Sequence, residues 1–492
     1  MPRFLPLFDA AQARALDRDA QAALGITEYD LMQRAAAAAW RQLLDRWPNA
    51  HRIGIAVGPG NNGGDGLVLA RLARESGRTA VVVRLRDGES KAPTAREALA
   101  GWTAAGGEVA VFEGALPAVD LWVDALFGIG FARPPEGEVR ELIESINAAG
   151  TDVFALDVPS GVDADTGHVP GAAIRATRTL TFLAGKCGLH TGAALDRVGR
   201  LEVDALGLGE AFVAAHESVA RLAGRDALAA WLPARRHDSN KGDFGHVRCV
   251  GGDHGTAGAI LLASEAALRC GAGLVSVATR AENVPVVLAR RPEVMARAVE
   301  DEAAFETALD GATVLAVGPG LGKGDWGRAM LAAALRSEKP LVLDADALNL
   351  LSEYPRGVSG AVLTPHPGEA GRLLGIPTVQ VQADRIGSAR ELAGRYDCCV
   401  VLKGAGTVVA APRVRPVLIP AGNPGMASGG MGDVLTGVIA ALRAQRLAPF
   451  DAAVCGALLH ALAGDAAAGD GGERGLIASD LFTHLHLLAN PR

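Results

Sequence analysis

The chain has 492 residues, which is too many for one hydrophobic core, so we expect two or three domains. Its formal net charge of -7 argues against a nucleic-acid-binding face, which needs clustered Lys and Arg. Hydrophobic residues make up 49% of the chain and aromatic residues only 4%, a composition typical of an ordinary soluble enzyme.

Three features of the sequence bear on its compartment. The six cysteines show no CxxC spacing and several stand in apolar runs, which predicts buried, reduced thiols. The N-terminal segment MPRFLPLFDAAQARALDRDA lacks the apolar centre of a signal peptide. No uninterrupted apolar stretch has the length needed to span a bilayer. We therefore expect a cytoplasmic protein without a membrane partner.

In chain order, the N-terminal half begins with a predicted helix over residues 27–47 and continues as short apolar runs alternating with Ala- and Leu-rich helical segments. The predicted strands are residues 52–57, 79–85, 108–112, 121–127, 152–158 and 177–183. This alternation predicts βαβ units and a mostly parallel sheet covered on both faces. Residues 207–242 show no strong strand pattern, so we place a domain boundary near 210–225.

The alternation resumes after the boundary and predicts a second α/β domain. Its predicted strands lie within residues 246–252, 273–279, 312–320, 340–348, 360–369, 398–406 and 407–412. Helices are predicted at about 258–270, 326–337, 384–397, 431–445 and 451–468. The predicted fold class is therefore α/β with two domains, which we assign to residues 1–215 and 225–492.

The first predicted strand is followed by GPGNNGGDG, in which Gly58, Gly60 and Gly63 match the G-x-G-x-x-G spacing of a dinucleotide-binding loop. Such a loop expects an acidic residue about 20 positions later for the ribose. Here the second strand ends in VVVRLRDGES, where Asp87 follows two arginines. Side-chain amides and a carboxylate in the loop instead favour cation ligation and polar contacts with a substrate; these residues are Asn61, Asn62 and Asp65.

Polar residues also fall at the ends of three later strands, namely Asp124, Asp157 and Lys186. Ligands of open parallel sheets bind at the carboxyl edge, so these residues and the glycine-rich loop form a candidate site. Each residue alone has an ordinary alternative. An Asp at a strand end is more often a helix cap, and a lone Lys is usually solvated.

Together, the motifs GPGNNGGDG, VDALFGIGFARP, LDVPSG and GKCGL resemble the NAD(P)H-hydrate epimerase domain over residues 10–210. The resemblance implies a Rossmann-like three-layer αβα fold with a hydrated nicotinamide nucleotide as substrate. It implies acid–base work for Asp157 and Lys186, and a potassium ion held by Asn62, Asp124 and Ser160. It also implies substrate contacts by Asn61, Asn62, Gly63, Gly64, Asp65, Gly128, Ile129, Gly130, Phe131, Ala132, Arg133, Pro134 and Asp157.

In the second domain, the run NPGMASGGMGDVLTGVIAAL leads into a predicted helix with Asp433 in its first turn. The backbone N–H groups of Gly430, Met431 and Gly432 would point at an oxyanion, assisted by the helix dipole. An Asp beside such an anion hole can deprotonate a hydroxyl that attacks a phosphoryl group. A simple helix cap would explain Asp433 but not the glycines before it.

Two further loops fit the use of a nucleotide. KGAGT, residues 403–407, offers Lys403 and backbone amides to phosphates, and GPGLG, residues 318–322, would let a ligand approach the backbone. The sequence contains no Walker A motif, which excludes a P-loop kinase. Asp344 and Asp346 fit either contacts with magnesium-bound water or a role in loop structure.

These motifs, with SNKGDFGHV, LDADAL and LTPHPGE, resemble the ribokinase superfamily and, within it, the NAD(P)H-hydrate dehydratase family from about residue 225 to the end. The resemblance implies a ribokinase-like αβα fold, ADP or ATP with Mg²⁺, and Asp433 as a catalytic base that contacts the substrate. It implies further substrate contacts by Ala259, Gly320, Gly322 and His366. It implies nucleotide contacts by Lys403, Gly404, Ala405, Gly406, Thr407, Gly430, Met431 and Gly432. His366 alone would also fit a hydrogen-bonded core histidine, although the surrounding loop favours a site.

The leading hypothesis is a single bifunctional repair enzyme. Its first domain would epimerise the (R)- and (S)-hydrates of NADH and NADPH, and its second would dehydrate the (S)-form at the expense of ADP. One alternative is a ribokinase-family small-molecule kinase with an accessory nucleotide-binding domain. Another is a binding module whose first domain only senses or carries nucleotides. We also expect small-molecule partners, no nucleic acid, and a homo-oligomer.

Overall fold

The computed structural model describes residues 4–131 and 133–491. Within these residues the chain divides into two compact units. The N-terminal unit is Pro6–Ala220, and the C-terminal unit contains the residues from Arg221 onward together with Phe4 and Leu5. The division falls in the interval between residues 215 and 225 that separates the two predicted domains.

The elements of the N-terminal half combine nine strands with six α-helices and two short 3-10 helices in the described residues. In chain order they are β1 (Phe4–Phe8), α1 (Ala10–Leu24), α2 (Glu28–Arg46), β2 (Arg52–Val57), α3 (Asn61–Glu75), β3 (Thr79–Arg84), α4 (Pro93–Ala104), β4 (Val109–Val111), β5 (Leu121–Ala125), α5 (Gly137–Ala148), β6 (Asp152–Leu156), β7 (Arg178–Phe182), β8 (Gly185–Lys186), the 3-10 helices Cys187–His190 and Gly192–Asp196, β9 (Arg200–Asp204) and α6 (Glu210–Ala214).

Seven of these strands form one parallel sheet in the order β4-β3-β2-β5-β6-β7-β9. Helices α2, α3 and α4 cover one face, where Leu43 and Trp102 share a core with Ile55. Helix α5 covers the other face, where Ile143 shares a core with Trp122. β1 pairs in parallel with β8, so that Phe8 lies opposite Lys186. The predicted three-layer α/β architecture of this unit is confirmed.

Helix α1 is absent from the sequence prediction, although its start and stop signals are present. Asp9 and Gln12 form a capping box at its N-terminus, and Gly25 ends it in the left-handed conformation with a φ of 64°. The predicted helix over 27–47 is confirmed as α2, which begins with a second capping box between Thr27 and Asp30. The N-terminal sheet is therefore preceded by two helices instead of one.

The C-terminal half contains the remaining strands and helices of the described residues. In chain order they are β10 (Ala220–Ala223), the 3-10 helix Arg225–Ala227, α7 (Leu228–Trp231), the 3-10 helix Lys241–Phe244, β11 (His246–Val250), α8 (Ala257–Arg269), β12 (Leu274–Thr279), the 3-10 helix Ala281–Asn283, α9 (Val284–Arg290), β13 (Met295–Ala298), α10 (Glu302–Ala308), β14 (Val314–Val317), α11 (Asp325–Arg336), β15 (Leu341–Leu343), α12 (Ala345–Glu353), β16 (Val362–Leu363), α13 (Pro367–Leu374), α14 (Thr378–Ala383), α15 (Arg385–Tyr396), β17 (Cys399–Leu402), β18 (Thr407–Ala411), β19 (Val414–Ile419), the 3-10 helix Pro424–Met426, α16 (Met431–Ala444), α17 (Pro449–Gly471), the 3-10 helix Ala478–Asp480 and α18 (Leu481–Leu488).

The strands of the C-terminal unit follow the order β13-β12-β11-β14-β15-β16-β17-β18-β19-β10. The first seven run parallel, β18 runs antiparallel to its two neighbours, and β10 runs parallel to β19. Helices α8, α16, α17 and α18 share one apolar core with the strands. The buried residues of α11, α12, α13 and α15 lie outside that core, so these helices cover the opposite face.

Two strands are missing from the sequence prediction, and a third is shorter than predicted. β10 lies in the segment 207–242, which shows no strong strand pattern because it contributes only the four residues ARLA. The predicted strand over 340–348 is only three residues long, since α12 begins at Ala345. β13, with the sequence MARA, also escapes prediction because it is a short, largely exposed edge strand.

Two expectations that bear on the environment of the protein can be compared with the structure. All six cysteines are buried and free, as predicted. Among the described residues one helix, α17, has the length and apolar composition of a membrane span. However, 72% of its apolar window is buried inside the structure, and α17 contributes the core residues Val454, Leu458 and Leu459. Helix α17 is therefore explained as a core helix.

Candidate active sites

The N-terminal unit has a pocket of about 760 Å³ at the carboxyl edge of its sheet. The loops after β2 and β5 and the ends of β6 and β8 line this pocket, as expected for a parallel α/β sheet. Helices α1 and α2 add charged lining residues that the sequence prediction does not include: Arg14, Asp17, Arg18 and Glu28. The predicted residues Asn61, Asn62, Asp65, Asp157 and Lys186 all line the same pocket.

Asp157 follows β6 directly and has a left-handed backbone, with a φ of 63°. This conformation costs a non-glycine residue about 1–2 kcal/mol and persists only where neighbouring contacts hold it. The Asp157 N–H donates to the carbonyl oxygen of Leu180 at 2.7 Å. Its Oδ1 atom accepts a hydrogen bond from Lys186 Nζ at 2.7 Å and one from Thr181 Oγ1 at 3.1 Å. These contacts hold the carboxylate in the strained position from which it faces the pocket.

Lys186 is buried, with a side chain only 4% exposed. Its Nζ donates to three acceptors: Asp157 Oδ1 at 2.7 Å, Thr181 Oγ1 at 2.8 Å and the carbonyl oxygen of Phe182 at 2.8 Å. An ammonium group has three N–H donors, so these contacts use all of them. Lys186 therefore acts on the pocket mainly as a fixed positive charge beside Asp157.

Two more carboxyl groups face this charge. Burial raises the pKa of Asp65 well above its usual value, and the carboxyl groups of Asp157 and Asp17 raise it further. Burial also raises the pKa of Asp17 to about 6, although the positive charge of Lys186 opposes this shift. The capping signals of α1 could have indicated that Asp17 lies on a helix, but not that this helix borders the pocket.

Asp124 and Ser160, two of the predicted potassium ligands, lie together beneath the pocket. The Asp124 carboxylate is fully buried and accepts hydrogen bonds from Ser160 N at 2.8 Å and from Ser160 Oγ at 2.6 Å. Burial raises the pKa of Asp124 to about 6, while the bonds from Ser160 lower it. Among the described residues no Lys, Arg or His pairs with this carboxylate.

Asn62, the third predicted ligand, is also buried. Its Nδ2 donates to the carbonyl oxygen of Phe127 at 3.0 Å, and its Oδ1 is buried without a partner. Ser160 Oγ lies 3.4 Å from the same Phe127 oxygen. A buried carboxylate without a counter-ion and an unpartnered amide oxygen are the groups that a hard cation would satisfy. The oxygen donors of Asn62, Asp124 and Ser160 therefore fit a potassium ion.

The segment 128–134, which the resemblance implies contacts the substrate, is only partly brought to the pocket. Gly128, Ile129, Gly130 and Phe131 line it, whereas Arg133 and Pro134 are exposed and do not. Ala132 lies outside the described residues. A methyl group on Gly128 would lie 3.1 Å from Asp157 Oδ2, so the start of this loop lies directly against the carboxylate. Besides Lys186, the described cations that line the pocket itself are Arg14 and Arg18 of α1.

The remaining predicted residues of the glycine-rich loop have mainly packing contacts. A side chain on Gly63 would collide with the backbone of Gly58, and one on Gly64 would collide with Met32. Asn61 donates through Nδ2 to Glu28 Oε1 at 2.8 Å, which connects the loop to α2. The loop thus requires glycines for close packing and presents Asn61, Asn62 and Asp65 to the pocket.

In the C-terminal unit, the predicted anion hole is the start of α16. Gly430 precedes this helix with a φ of 89°, a left-handed conformation that glycine adopts without strain. The first N–H groups of a helix have no intrahelical acceptor, so those of Met431 and Gly432 are open to an anion. Burial raises the pKa of Asp433 to about 7, and the nearby carboxylate of Asp344 adds to the rise. A carboxyl group with this pKa suits a general base near neutral pH.

Lys403 lies directly against this helix start. A methyl group on Gly432 would lie 3.1 Å from Lys403 Nζ, and the ammonium donates to Asp344 Oδ1 at 2.8 Å. Burial lowers the pKa of Lys403, but the carboxylates of Asp344 and Glu369 outweigh this effect and raise it overall. The charged ammonium is therefore held beside the position that the helix N-terminus offers to a phosphate.

Asp344 and Asp346 have protein partners in the structure. Asp344 is 1% exposed and accepts hydrogen bonds from Lys403 Nζ and from Thr436 Oγ1, each at 2.8 Å. Asp346 Oδ2 accepts a hydrogen bond from Gly322 N at 2.9 Å and so fixes the GPGLG loop. These contacts fix Asp346 in the loop structure and place Asp344 beside Lys403, and contacts of either residue with magnesium-bound water stay a prediction.

His366 is exposed and caps α13. Its Nδ1 accepts hydrogen bonds from Gly368 N at 3.0 Å and from Glu369 N at 3.4 Å, which excludes the core-histidine alternative. Burial and the nearby charge of Lys403 lower the pKa of His366, and its Nε2 lies 3.5 Å from Glu369 Oε1. Glu369, which sequence reasoning does not include, completes the capping box, and burial raises its pKa to about 7.

Three other predicted segments lie at loops or helix ends. Ala259 is in the first turn of α8, and the Gly320 carbonyl oxygen accepts a hydrogen bond from Thr256 Oγ1 at 2.8 Å just before this helix. In KGAGT, Gly404 has a φ of 130°, and Thr407 Oγ1 donates to the Gly404 carbonyl oxygen at 3.1 Å. The loop containing Ala405 and Gly406 is thus turned tightly at the end of β17. The contacts predicted for these residues stay predictions.

The two units define a class of protein. The C-terminal unit has an α/β fold with a largely parallel sheet, in which an acid, a lysine and a glycine-rich helix start converge, an arrangement suited to phosphoryl transfer. The N-terminal unit has a three-layer α/β fold with an acidic pocket at the carboxyl edge of its sheet. The chain is therefore an α/β enzyme with two distinct candidate sites.

Comparison with known proteins agrees with this class. Residues 247–486 match the NAD(P)H-hydrate dehydratase family, and residues 28–188 match the family described as YjeF-related protein N-terminus. The bifunctional NAD(P)H-hydrate repair enzyme Nnr of Coxiella burnetii is 47% identical over 491 residues, covering 99% of this chain and 99% of that protein. The Nnr enzyme of Escherichia coli is 45% identical over 486 residues, covering 98% and 93% respectively.

A solved structure also resembles the C-terminal unit. A ribokinase-like superfamily protein from Enterococcus faecalis aligns with a TM-score of 0.51 and 30% identity, covering 56% of this chain and 99% of that chain. The present chain belongs to the family of bifunctional NAD(P)H-hydrate repair enzymes. The alternative of a small-molecule kinase with an accessory domain is not favoured, because the relatives named as repair enzymes match both units.

Proposed function

We propose that the N-terminal pocket interconverts the two C6 epimers of hydrated NADH and NADPH, and that the C-terminal site converts the (S)-epimer back to the intact coenzyme. The observation that carries the second assignment is Asp433 at the glycine-rich start of α16, beside the ammonium of Lys403. Fusion of the two activities would let a single chain repair both epimers.

For the dehydration, hydroxide is a poor leaving group from C6 of the hydrated ring. Asp433 would accept the proton of the C6 hydroxyl while its oxygen attacks the terminal phosphoryl group of ADP or ATP. The start of α16 and Lys403 would stabilise the charge on the transferring group. The lone pair of the ring nitrogen would then expel phosphate, and loss of the C5 proton would restore the reduced nicotinamide.

The C-terminal site would receive magnesium together with the nucleotide. Magnesium would supply charge neutralisation on the phosphates. The nearby carboxyl group that could face its hydration shell is Asp433, because Asp344 is paired with Lys403, Asp346 is bonded to Gly322 and Glu369 accepts a hydrogen bond from His366 N. We also propose that the backbone amides of residues 404–407, in the turn that follows Lys403, contact the nucleotide.

For the epimerisation, we propose that the predicted pair divides the work: Asp157 accepts and returns a proton, and Lys186 is the fixed charge that holds its carboxylate. The ion pair aims the Asp157 carboxylate at the pocket, so that it can accept and return a proton of the substrate hydroxyl. Asn62, Asp124 and Ser160 would hold a potassium ion, which would supply the positive charge that the buried Asp124 lacks. Arg14 and Arg18 would bind the substrate phosphates at the mouth of the pocket.

The experiment that tests this proposal supplies each hydrate epimer alone, with Mg²⁺ and either ADP or ATP, and follows the absorbance of reduced nicotinamide. We expect Asp157→Asn to restore only the (S)-epimer, and Asp433→Asn to restore neither while still interconverting them. A matched control is Asp325→Asn, which changes an exposed acid in the first turn of α11. Recovery of the (R)-epimer by Asp157→Asn at the wild-type rate would contradict the epimerase site.

The cellular setting is part of the same proposal. We infer a cytoplasmic protein, since all six thiols are free and buried. We also propose a homo-oligomer, which sedimentation of the purified full-length chain would test.

A further inference from the structure

The N-terminal pocket contains a cation that cannot supply a proton donor to a substrate. All three N–H donors of Lys186 are occupied by Asp157, Thr181 and the Phe182 carbonyl oxygen, at 2.7 to 2.8 Å. Epimerisation at C6 by ring opening needs a base and also an acid. Asp157, being paired with Lys186, can serve as the base, so the acid has to come from another side chain.

Asp17 of α1 is a side chain with the chemistry to fill this role. It lines the same pocket as Asp157 and Lys186, and it has no hydrogen-bond or ion-pair partner among the described residues. Its carboxyl group is partly buried at the inner face of α1, next to the buried residues Leu16 and Ala20 of that helix. An unpaired carboxyl group held at the wall of a pocket is placed to exchange a proton with a bound ligand.

We propose that Asp17 is the general acid of this pocket and acts together with Asp157 as base. The inference rests on the proposed epimerase function of the N-terminal unit. In the step, the C6 hydroxyl gives its proton to Asp157 as the C6–N1 bond breaks, and N1 takes the proton of Asp17. The aldehyde that forms rotates, N1 attacks its other face, and the two protons return to the substrate oxygen and to Asp17.

The charges around Asp17 suit this role. Burial raises the pKa of Asp17 to about 6, Lys186 lowers it, and Asp157 and Glu28 raise it. Arg18, on the same helix, lowers it slightly. Asp65, on α3, also faces the pocket, and burial raises its pKa well above the usual value.

A pKa of about 6 lets Asp17 gain and lose its proton near neutral pH, as a general acid requires. A bound anionic diphosphate would raise the pKa of Asp17 further and favour its acidic form.

The test uses the full-length chain with Asp17→Asn, Asp17→Glu and the control Asp19→Asn. Asp19 is two residues away on α1, is 58% exposed and bonds to His216 outside the pocket. Epimerisation of the isolated (R)-hydrate is measured from pH 5 to pH 9 in each variant. Dehydration of the (S)-hydrate by the same preparation shows that the C-terminal unit is folded, and the Tm of each variant shows whether the N-terminal unit is folded.

We expect Asp17→Asn to lower kcat for epimerisation by about 10²–10⁴-fold, the usual contribution of a general acid, with a KM within about threefold of wild type. The decline of kcat at high pH should disappear in Asp17→Asn and persist in Asp17→Glu, which should regain part of the rate. A merely structural role would leave the shape of the pH profile unchanged in Asp17→Asn.

The inference is overturned if Asp17→Asn epimerises within about threefold of wild type, or keeps the wild-type pH profile at a reduced rate. It is also overturned if Asp19→Asn loses as much activity as Asp17→Asn. The variant Asp157→Asn distinguishes failure of this inference from failure of the proposed epimerase function. If Asp157→Asn and Asp17→Asn both retain full activity, the epimerase site itself is wrong, whereas loss in Asp157→Asn alone refutes only the role of Asp17.

Discussion

Replacing Asp433 with Asn should stabilise the C-terminal unit while abolishing its dehydration activity. The Asp433 carboxyl has a pKa of about 7 in the folded chain against an ordinary value of 3.8, chiefly because of burial. The folded state therefore binds the proton more tightly than the unfolded state, and the stability of the fold decreases as pH rises from 3.8 through about 7. Asn resembles the protonated acid and carries no charge, so it removes this penalty.

The size of the effect follows from the pKa difference. With a difference of about three between the two pKa values, ionisation of Asp433 lowers the free energy of unfolding by about 4 kcal/mol at pH 8 and by about 2 kcal/mol at pH 5. The Asp433 side chain is only half-buried, so solvent screening reduces both values. We expect Asp433→Asn to raise the free energy of unfolding by about 1–2 kcal/mol at pH 8 and by less than half of that at pH 5.

The assay is thermal unfolding of the full-length chain at pH 5 and pH 8, with dehydration of the (S)-hydrate measured in parallel. A gain of about 1–2 kcal/mol corresponds to an increase in Tm of roughly 2–6 °C for a unit of this size. Asp325→Asn is the matched control, because this exposed acid at the start of α11 interacts favourably with the helix dipole. Loss of this interaction in Asp325→Asn should lower the free energy of unfolding by about 0.3–1 kcal/mol. A gain in Asp433→Asn that is equal at both pH values, or no gain at pH 8, would refute the electrostatic account of this site.

Three further predictions concern the packing and charges beside the two sites. Lys403→Met leaves the buried Asp344 carboxylate without its cation and should cost about 3–5 kcal/mol in chemical unfolding, whereas a cost below about 1 kcal/mol would contradict the pairing. Gly437→Ala places a methyl group against the Ala263 backbone of α8 and should destabilise by about 1–3 kcal/mol, while Gly394→Ala in an open part of α15 should be neutral or stabilising. An equal effect of these two glycine changes would argue against the close contact between α8 and α16. We expect the wild type to have a higher Tm in K⁺ than in tetramethylammonium at equal ionic strength, and we expect Asp124→Asn to abolish this difference. An unchanged difference in the variant would mean that the cation binds at another site.

The sequence predicts the strand ends that carry the sites, because near-continuous apolar strands followed by Gly, Asp or Lys produce a strong local pattern. The loop after β2 and the helix start at Gly430 lie where their motifs place them. Short elements such as β10 and β13 escape prediction, since four residues with mixed polarity carry little periodic signal.

The parts of the sites that the sequence does not reveal depend on long-range contacts. Lys186 can be placed at a strand end from sequence, but the occupation of all its donors depends on the arrangement of Asp157, Thr181 and Phe182 in three dimensions. The same is true of Lys403 and Asp344, which are separated by 59 positions and joined by one hydrogen bond. Asp17 is missed for a different reason, because α1 carries local capping signals but its approach to the pocket is a tertiary feature.

The central claim is that one chain repairs both hydrate epimers through two separate sites. The most direct measurement mixes the wild-type protein with equal amounts of the two epimers, Mg²⁺ and excess ADP or ATP, and records the final amount of reduced coenzyme. The account predicts complete recovery with at least one of the two nucleotides. Recovery that stops at half with both nucleotides would mean that one epimer is never converted, and would contradict the claim.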